Sequence, residues 1–335
     1  MRMFFVAIAL FFCICLQAQT IANIDGILKD TSFNVKDTYL KEIKGRPYIK
    51  IAEAEPNSKV KETEGIIYSS PYMGRSLKVN IYRPNDDKRH PALLMVHGGG
   101  WASGDPSMEK PIALKIAQEG YVTIPVEYRL SPEAQYPAAV HDLKTAVRWF
   151  RANADKYGID TTCIAMSGNS AGGQLASLIG NTNGQPAYEG HGEYQNYSSH
   201  IHAVINIDGS LDFTVPENIE RVNADLAKGK TPALYRWIGA SYTEQKNVWI
   251  AASPLFQVTA LSAPTCFINS SIPRFHDGRD EMIAKFVEHG IYSEVETIDD
   301  TPHPFWLFHP WFDQTVSYMI SFMNKQFKGE RVKSN

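Results

Sequence analysis

The stretch Cys163-Ile164-Ala165-Met166-Ser167-Gly168-Asn169-Ser170-Ala171-Gly172-Gly173 decides how this chain is read. Its first five residues form an apolar run of strand length, and the small residues from Gly173 onward suit a helix start. Between them lies Gly168-Asn169-Ser170-Ala171-Gly172. A serine at such a strand-to-helix junction sits on a sharp, strained turn, where side chains on the flanking positions would collide. Glycines on both sides remove that obstacle. A hydroxyl presented in this way is a candidate nucleophile.

Upstream, the apolar strand Ala92–Val96 runs into His97-Gly98-Gly99-Gly100-Trp101. Glycines in a loop after a strand let backbone N–H groups face a carbonyl oxygen as it gains negative charge. Gly99, Gly100 and Ala171 are the expected donors. Further strand-like runs fall at Glu64–Tyr68, Leu77–Tyr82, Tyr121–Val126, Ala203–Ile207, Thr265–Asn269 and Ser293–Ile298. Helical patterns lie between the later ones, at Met108–Glu119, His141–Tyr157, Gly172–Gly180, Asp280–His289 and Phe312–Phe327. Strands alternating with helices predict a mostly parallel central sheet with helices on both faces. The first two strands, joined through Pro71 and Gly74, predict an antiparallel lead-in.

These features together resemble the α/β-hydrolase superfamily, and within it the hormone-sensitive-lipase-like esterases and bacterial carbohydrate esterases. The resemblance runs from about Glu64 to Phe327. It rests on the loop His97–Trp101, Tyr128-Arg129-Leu130 with Pro132, Pro137–Asp142, the Ser170 pentapeptide, and Ser253-Pro254-Leu255 ahead of Thr265–Asn269. It implies the α/β-hydrolase fold with a small cap insertion and hydrolysis of carboxylic esters without a cofactor. By the same resemblance Pro302-His303-Pro304-Phe305 carries the catalytic base, His303, and Asp142 is structural. Removal of acetyl or methyl esters from plant cell-wall polysaccharide, pectin or xylan, is the implied function. A general short-chain esterase, a peptidase of the same fold and a non-catalytic binding protein are the alternatives.

The acid that should orient the imidazole departs from the family pattern. Relatives carry an Asp just after the strand equivalent to Thr265–Asn269, where this chain has Ser270-Ser271-Ile272-Pro273-Arg274. Asp208, at the end of Ala203–Ile207, is the leading candidate; Asp277 and Asp280 follow, and a bare Ser170–His303 dyad comes last. Arg274, His276 and Arg279 form a basic patch in that loop, suited to a substrate carboxylate such as a uronic acid. Their alternative role is pairing with Asp277 and Asp280. Trp101 or Trp306 is expected to offer a flat ring to a sugar, the other aromatics after His303 packing in the core.

The whole chain of 335 residues carries a net charge of -3, with ordinary apolar and charged fractions. That composition excludes coiled-coil, collagen-like and disordered classes, and without a long Lys/Arg run it provides no electrostatic footprint for nucleic acid. His191, Glu193, His200 and His202 lack a recognised ligand spacing, so no metal site is expected. Met1-Arg2-Met3, the apolar Phe4 to Leu16 and Gln17-Ala18-Gln19 read as a secretory signal. The apolar run is shorter than the ~20 residues of a spanning helix, so export and no stable membrane span after cleavage are expected. The expected layout is a signal at 1–18, an extension at 19–60 and a catalytic domain at 61–330 with its cap at about 213–250. Cys163 and Cys266 are expected as unpaired, buried residues.

Overall fold

The structure, a computed structural model, describes residues 21–329 apart from 25, 73 and 74; the expected export signal lies outside the described residues. The leading segment holds a hairpin of β1 (Ile21–Ile24) and β2 (Ile27–Asp30), then α1 (Val35–Glu42) and the short β3 (Lys50–Ile51). Asn34 caps α1 by accepting the Asp37 N–H at 2.8 Å. No residue of α1 is fully buried, which is why this stretch has weak hydrophobic periodicity.

The main body follows as β4 (Val60–Tyr72), β5 (Arg75–Pro84), β6 (His90–Val96), α2 (Lys110–Gln118) and β7 (Val122–Val126). Next come α3 (Ala138–Ala152), α4 (Ala154–Tyr157), β8 (Ile159–Asn169), α5 (Ala171–Asn181) and β9 (Ala203–Ile207). An insertion carries α6 (Pro216–Ala227), α7 (Ala233–Ile238) and α8 (Lys246–Ala252). The chain closes with β10 (Thr265–Ser270), α9 (Arg279–Glu288), β11 (Ser293–Ile298), β12 (Phe308–His309) and α10 (Trp311–Phe327).

Eight strands form one sheet in the order β11-β10-β9-β8-β6-β7-β5-β4. The six from β11 to β7 are mutually parallel, whereas β5 is antiparallel to both β4 and β7. Along β6, Ala92, Leu94 and Val96 enter one hydrophobic cluster and Leu93 and Met95 the other. That alternation is the pleat of a strand buried on both faces. Leu143, Val147 and Phe150 of α3 and Leu175 and Leu178 of α5 cover the first face. Ile112 and Ile116 of α2, with Phe312, Met319 and Phe322 of α10, cover the second.

Two segments depart from a plain domain with decorations. Residues 20–60, expected as a polar extension, send Ile49 and Ala52 into the second cluster, and β3 pairs antiparallel with β12. The Asp30 N–H donates to Ala102 O at 2.7 Å, and Asp30 Oδ2 meets Arg236 of α7 at 2.6 Å. The insertion is equally well anchored, with Trp237 and Trp249 fully buried in the first cluster. The two cysteines among the described residues, Cys163 and Cys266, are free; Cys266 is buried as expected, whereas Cys163 is only partly buried.

Candidate active site

Parallel strands deliver their following loops to one edge of a sheet, and here β6, β8, β9, β10 and β11 lead to His97, Ser170, Asp208, Ser270 and His303. Loops at the carboxyl ends of such strands are where this architecture builds sites. Ser170 has φ +52°, in the left-handed region that costs an L-residue energy and is retained at functional turns. A Cβ on Gly168 would lie 2.1 Å from Gly172 O, and one on Gly172 would lie 2.0 Å from Val96 O. The flanking glycines are therefore required by backbone contact on either side of the turn. The Ser170 N–H extends the β8–β9 ladder by donating to Ile207 O at 2.8 Å.

His303 joins two of these loop ends. Its Nε2 lies 2.8 Å from Ser170 Oγ and its Nδ1 lies 3.0 Å from Asp208 Oδ2. A carboxylate accepts, so Nδ1 carries the ring proton and Nε2 is left to accept from the hydroxyl. Asp208 is fully buried, with φ +51°. Its Oδ1 accepts the Ser270 N–H at 2.7 Å and a longer contact from Asn269 Nδ2 at 3.4 Å. The stretch that in relatives carries the acid thus holds it from outside, and the acid itself stands one strand nearer the nucleophile. Among the described residues neither Asp277 nor Asp280 contacts His303; Asp280 pairs with Arg279, and the Asp277 carbonyl accepts the Leu211 N–H.

Burial lowers the His303 pKa below its ordinary value; the Asp208 carboxylate opposes that shift and Arg274 adds to it. Phe275 stacks on one face of the imidazole at 3.5 Å, and Trp306 meets it edge-on at 5.2 Å.

The glycine loop is held against the serine turn by a buried polar chain. Asn169 Oδ1 accepts the Gly98 N–H at 2.8 Å, while its Nδ2 donates to Glu109 Oε1 at 2.7 Å. Glu109 is 2% exposed, and burial pushes its carboxyl up to about 7, with Asn169 opposing. His97 is buried and neutral, its pKa pushed down to about 4 mainly by desolvation. Its Nδ1–H donates to Gly98 O at 2.8 Å, and Tyr128 donates to its carbonyl at 2.9 Å. With Gly98 committed to Asn169, the N–H groups of Gly99 and Gly100 form no hydrogen bond among the described residues. Gly99 has φ +114° and would place a Cβ 2.3 Å from Ser103 O.

Two cavities meet at Ser170, His303, Ala233 and Arg274. The smaller, about 430 Å³, is lined by Trp101, Ala171 and Phe213 together with cap residues Arg221, Val222 and Leu234. The larger, about 960 Å³, is lined by Gly99, Gly100 and Trp306 and by Phe33, Asp37 and Lys41 of the leading segment. Trp101 faces the smaller cavity, fixed by a 4.7 Å stack on Trp237 and an Nε1–H bond to Gln174 at 2.9 Å.

Three expectations about substrate contacts need correction. Arg279 donates to Asn269 Oδ1 at 3.0 Å and to Asp280, so it braces the acid from behind. His276 Nε2 donates to Ser270 O at 2.7 Å and pins the loop. Neither lines the cavities at Ser170. Trp306 borders the larger cavity but is only 2% exposed, its ring packed edge-on against His303 and Phe305, so it offers a sugar little surface. Of the basic patch only Arg274 reaches the cleft, because the turn Pro273–Phe275 sends its side chain the other way. Arg221, Phe275, Glu109 and the wall at Phe33–Lys41 were not singled out from sequence. The polar Asn169 beside a nucleophile was the one signal for the buried chain.

With this geometry in view, residues 79–275, more than half of the chain, match the BD-FAE family. The chain belongs to that family, and its fold is the α/β-hydrolase fold. Among curated proteins it is 31% identical over 205 residues to "Esterase LipC" of Mycobacterium tuberculosis, covering 58% of this chain and 47% of that one. It is 36% identical over 129 residues to "Arylesterase" of Saccharolobus solfataricus, covering 38% and 41%. The chain spans about half the length, or less, of such relatives. Among solved structures a hyperthermophilic esterase from Pyrobaculum calidifontis matches with TM-score 0.63 and 25% identity, covering 87% of this chain and 91% of that one. A truncated carbohydrate esterase from gut microbiota shares the fold with TM-score 0.65 and 23% identity, covering 82% and 99%.

Proposed function

We propose that this protein is a serine carboxylic ester hydrolase, with Ser170 as nucleophile, His303 as general base and acid, and Asp208 as the orienting carboxylate. The observation that carries the reading is the continuous chain Asp208–His303–Ser170 at 3.0 and 2.8 Å. His303 Nε2 takes the hydroxyl proton as Ser170 Oγ attacks the ester carbonyl, and Asp208 stabilises the imidazolium. The N–H groups of Gly99, Gly100 and Ala171 receive the developing oxyanion. Collapse expels the alcohol, protonated by His303; water then enters by the same route and releases the acid.

Acetyl or methyl esters of a plant cell-wall polysaccharide are the substrates this reading favours. The two cavities together offer room for a sugar on either side of the scissile bond, within the size range of ligand sites. Trp101 supplies an aromatic wall in the smaller one. The leading apolar segment supports export of the protein, which N-terminal sequencing of the mature chain from culture fluid or periplasm tests. The activity test is hydrolysis of p-nitrophenyl acetate, p-nitrophenyl butyrate, acetylated xylan and esterified pectin by the wild type and Ser170→Ala. Release of acetate or methanol by the wild type alone supports the reading; equal silence of both proteins on every ester sinks it.

A further inference from the structure

Most charged groups around the cleft are matched. Arg236 pairs with Asp30 at 2.6 Å, Arg279 behind the acid with Asp280 at 2.8 Å, and Asp208 with His303. Arg274 differs, forming no hydrogen bond or ion pair among the described residues. Its guanidinium lies 4.5 Å above the Phe275 ring, the same ring that stacks on His303. Arg221 of α6 lines the same small cavity from the cap side, donating to Asn218 Oδ1 without an ion pair among the described residues. Two cations therefore face one cavity beside the nucleophile.

The acids near that cavity do not neutralise them. Asp208 is committed to His303 and the Ser270 N–H, and Asp225 lies 3.6 Å from Lys230. Asp277 interacts with both arginines at longer range and makes no ion pair among the described residues. Burial, with Arg221 next, presses the Arg274 pKa down, and Asp208 and Asp277 only partly oppose this. Holding two guanidiniums towards a partly desolvated space is unfavourable unless an anion enters it.

We infer that Arg274 and Arg221 form an anion subsite for a carboxylate carried by the ester substrate, placing an O-acylated uronic acid in the smaller cavity. This deepens the proposed ester hydrolysis and rests on it. A planar guanidinium binds a carboxylate through two parallel hydrogen bonds, and the cap guanidinium of Arg221 adds a second positive charge to the same cavity. Phe213, Val222 and Leu234 supply part of the apolar lining. The carboxylate must be free to be recognised. The scissile group is therefore an acyl ester on a hydroxyl of the uronate, and the methyl ester of that same carboxyl is a poor substrate.

The test compares kcat/KM for a mono-O-acetyl methyl galacturonoside with that for the neutral mono-O-acetyl methyl galactoside. The wild type is expected to favour the acidic ester by about tenfold or more through KM, since charge-assisted bidentate hydrogen bonds are stronger than neutral ones. Raising NaCl to 0.5 M should shrink the preference. Arg274→Gln and Arg221→Gln should each bring the ratio towards one, and Arg274→Lys should restore part of it. Equal kcat/KM for both esters in the wild type, or a preference surviving in the double Gln variant, overturns the subsite. Calorimetric binding of unesterified methyl galacturonoside to Ser170→Ala, with and without Arg274→Gln, reads the subsite independently of turnover. Arginine-dependent binding alongside inactivity on both esters keeps the subsite and removes the hydrolase reading; no arginine-dependent binding removes the subsite.

Discussion

Asp208 directly follows β9, the strand paired with the one that leads into Ser170, and the ladder hydrogen bond from the Ser170 N–H to Ile207 O sets the two residues side by side. An acid at this position reaches Nδ1 without help from the following strand, whose end instead supplies the Ser270 N–H to steady it. Asp208→Asn should lower kcat about 10³- to 10⁴-fold, the cost of losing the correct tautomer, with the thermal transition still cooperative. Asp277→Asn and Asp280→Asn should leave kcat near the wild-type value in the same assay, and a loss in either as large as that in Asp208→Asn would reassign the acid. Because desolvation lowers the His303 pKa from 6.5, the acid limb of kcat/KM should fall below that pH. Ser170 was legible in sequence from its glycines and His303 from its resemblance to family members. Asp208 was legible as the leading one of three carboxylates. Side-chain direction decided among them, and the turn at Pro273–Phe275, which also turned Arg279 and His276 away from the cleft, leaves no mark in composition or spacing.

At the scale of elements, the strands and their covering helices were readable because burial on both faces imposes long apolar runs. The junction between elements was less so. Glu109 precedes α2, Asn169 ends β8 and Gly98 follows β6, and only their convergence links them. Glu109 has a folded pKa of about 7 against an ordinary 4.5. Between those values the folded state holds a proton that the unfolded state has released, so its contribution is fully present below pH 4.5 and is lost as pH rises through about 7. Glu109→Gln removes that dependence. Its stability relative to wild type should increase between pH 4.5 and 7 by on the order of 2–3 kcal/mol, read from urea midpoints; a difference independent of pH would show that the carboxyl titrates normally. His97, with a folded pKa of about 4, acts in the opposite sense in both proteins, lowering stability as pH falls below 6.5, and cancels in the comparison.

Over the whole molecule the cleft is framed by three regions distant in sequence: the loops at the carboxyl edge of the sheet, the cap at α6 and α7, and the leading segment through α1. The last two were the least legible. Helix α1 buries no residue fully, α6 buries only Asn218 and Val222, and the anchoring of both regions depends on long-range partners such as Asp30 with Arg236, 206 positions apart. That ion pair is largely shielded, with side-chain exposures of 10% and 21%. Asp30→Ala should therefore leave a partly buried cation, destabilise the fold by about 1–3 kcal/mol, and speed protease cleavage between residues 30 and 47. Unchanged proteolysis in that interval would mean that the segment is held by other contacts.

The leading segment also assigns entry and the triad to different parts of the chain. Bond-breaking groups reside at the ends of strands, whereas much of the doorway to the larger cavity belongs to chain that comes before the first strand of the main sheet. Exchanging only the cavity-lining positions Phe33, Asp37 and Lys41, while keeping the anchors Asp30, Ile49 and Ala52, would alter the doorway without disturbing the packing behind it. Such exchanges offer a route to new substrate ranges that spares the residues on which turnover depends.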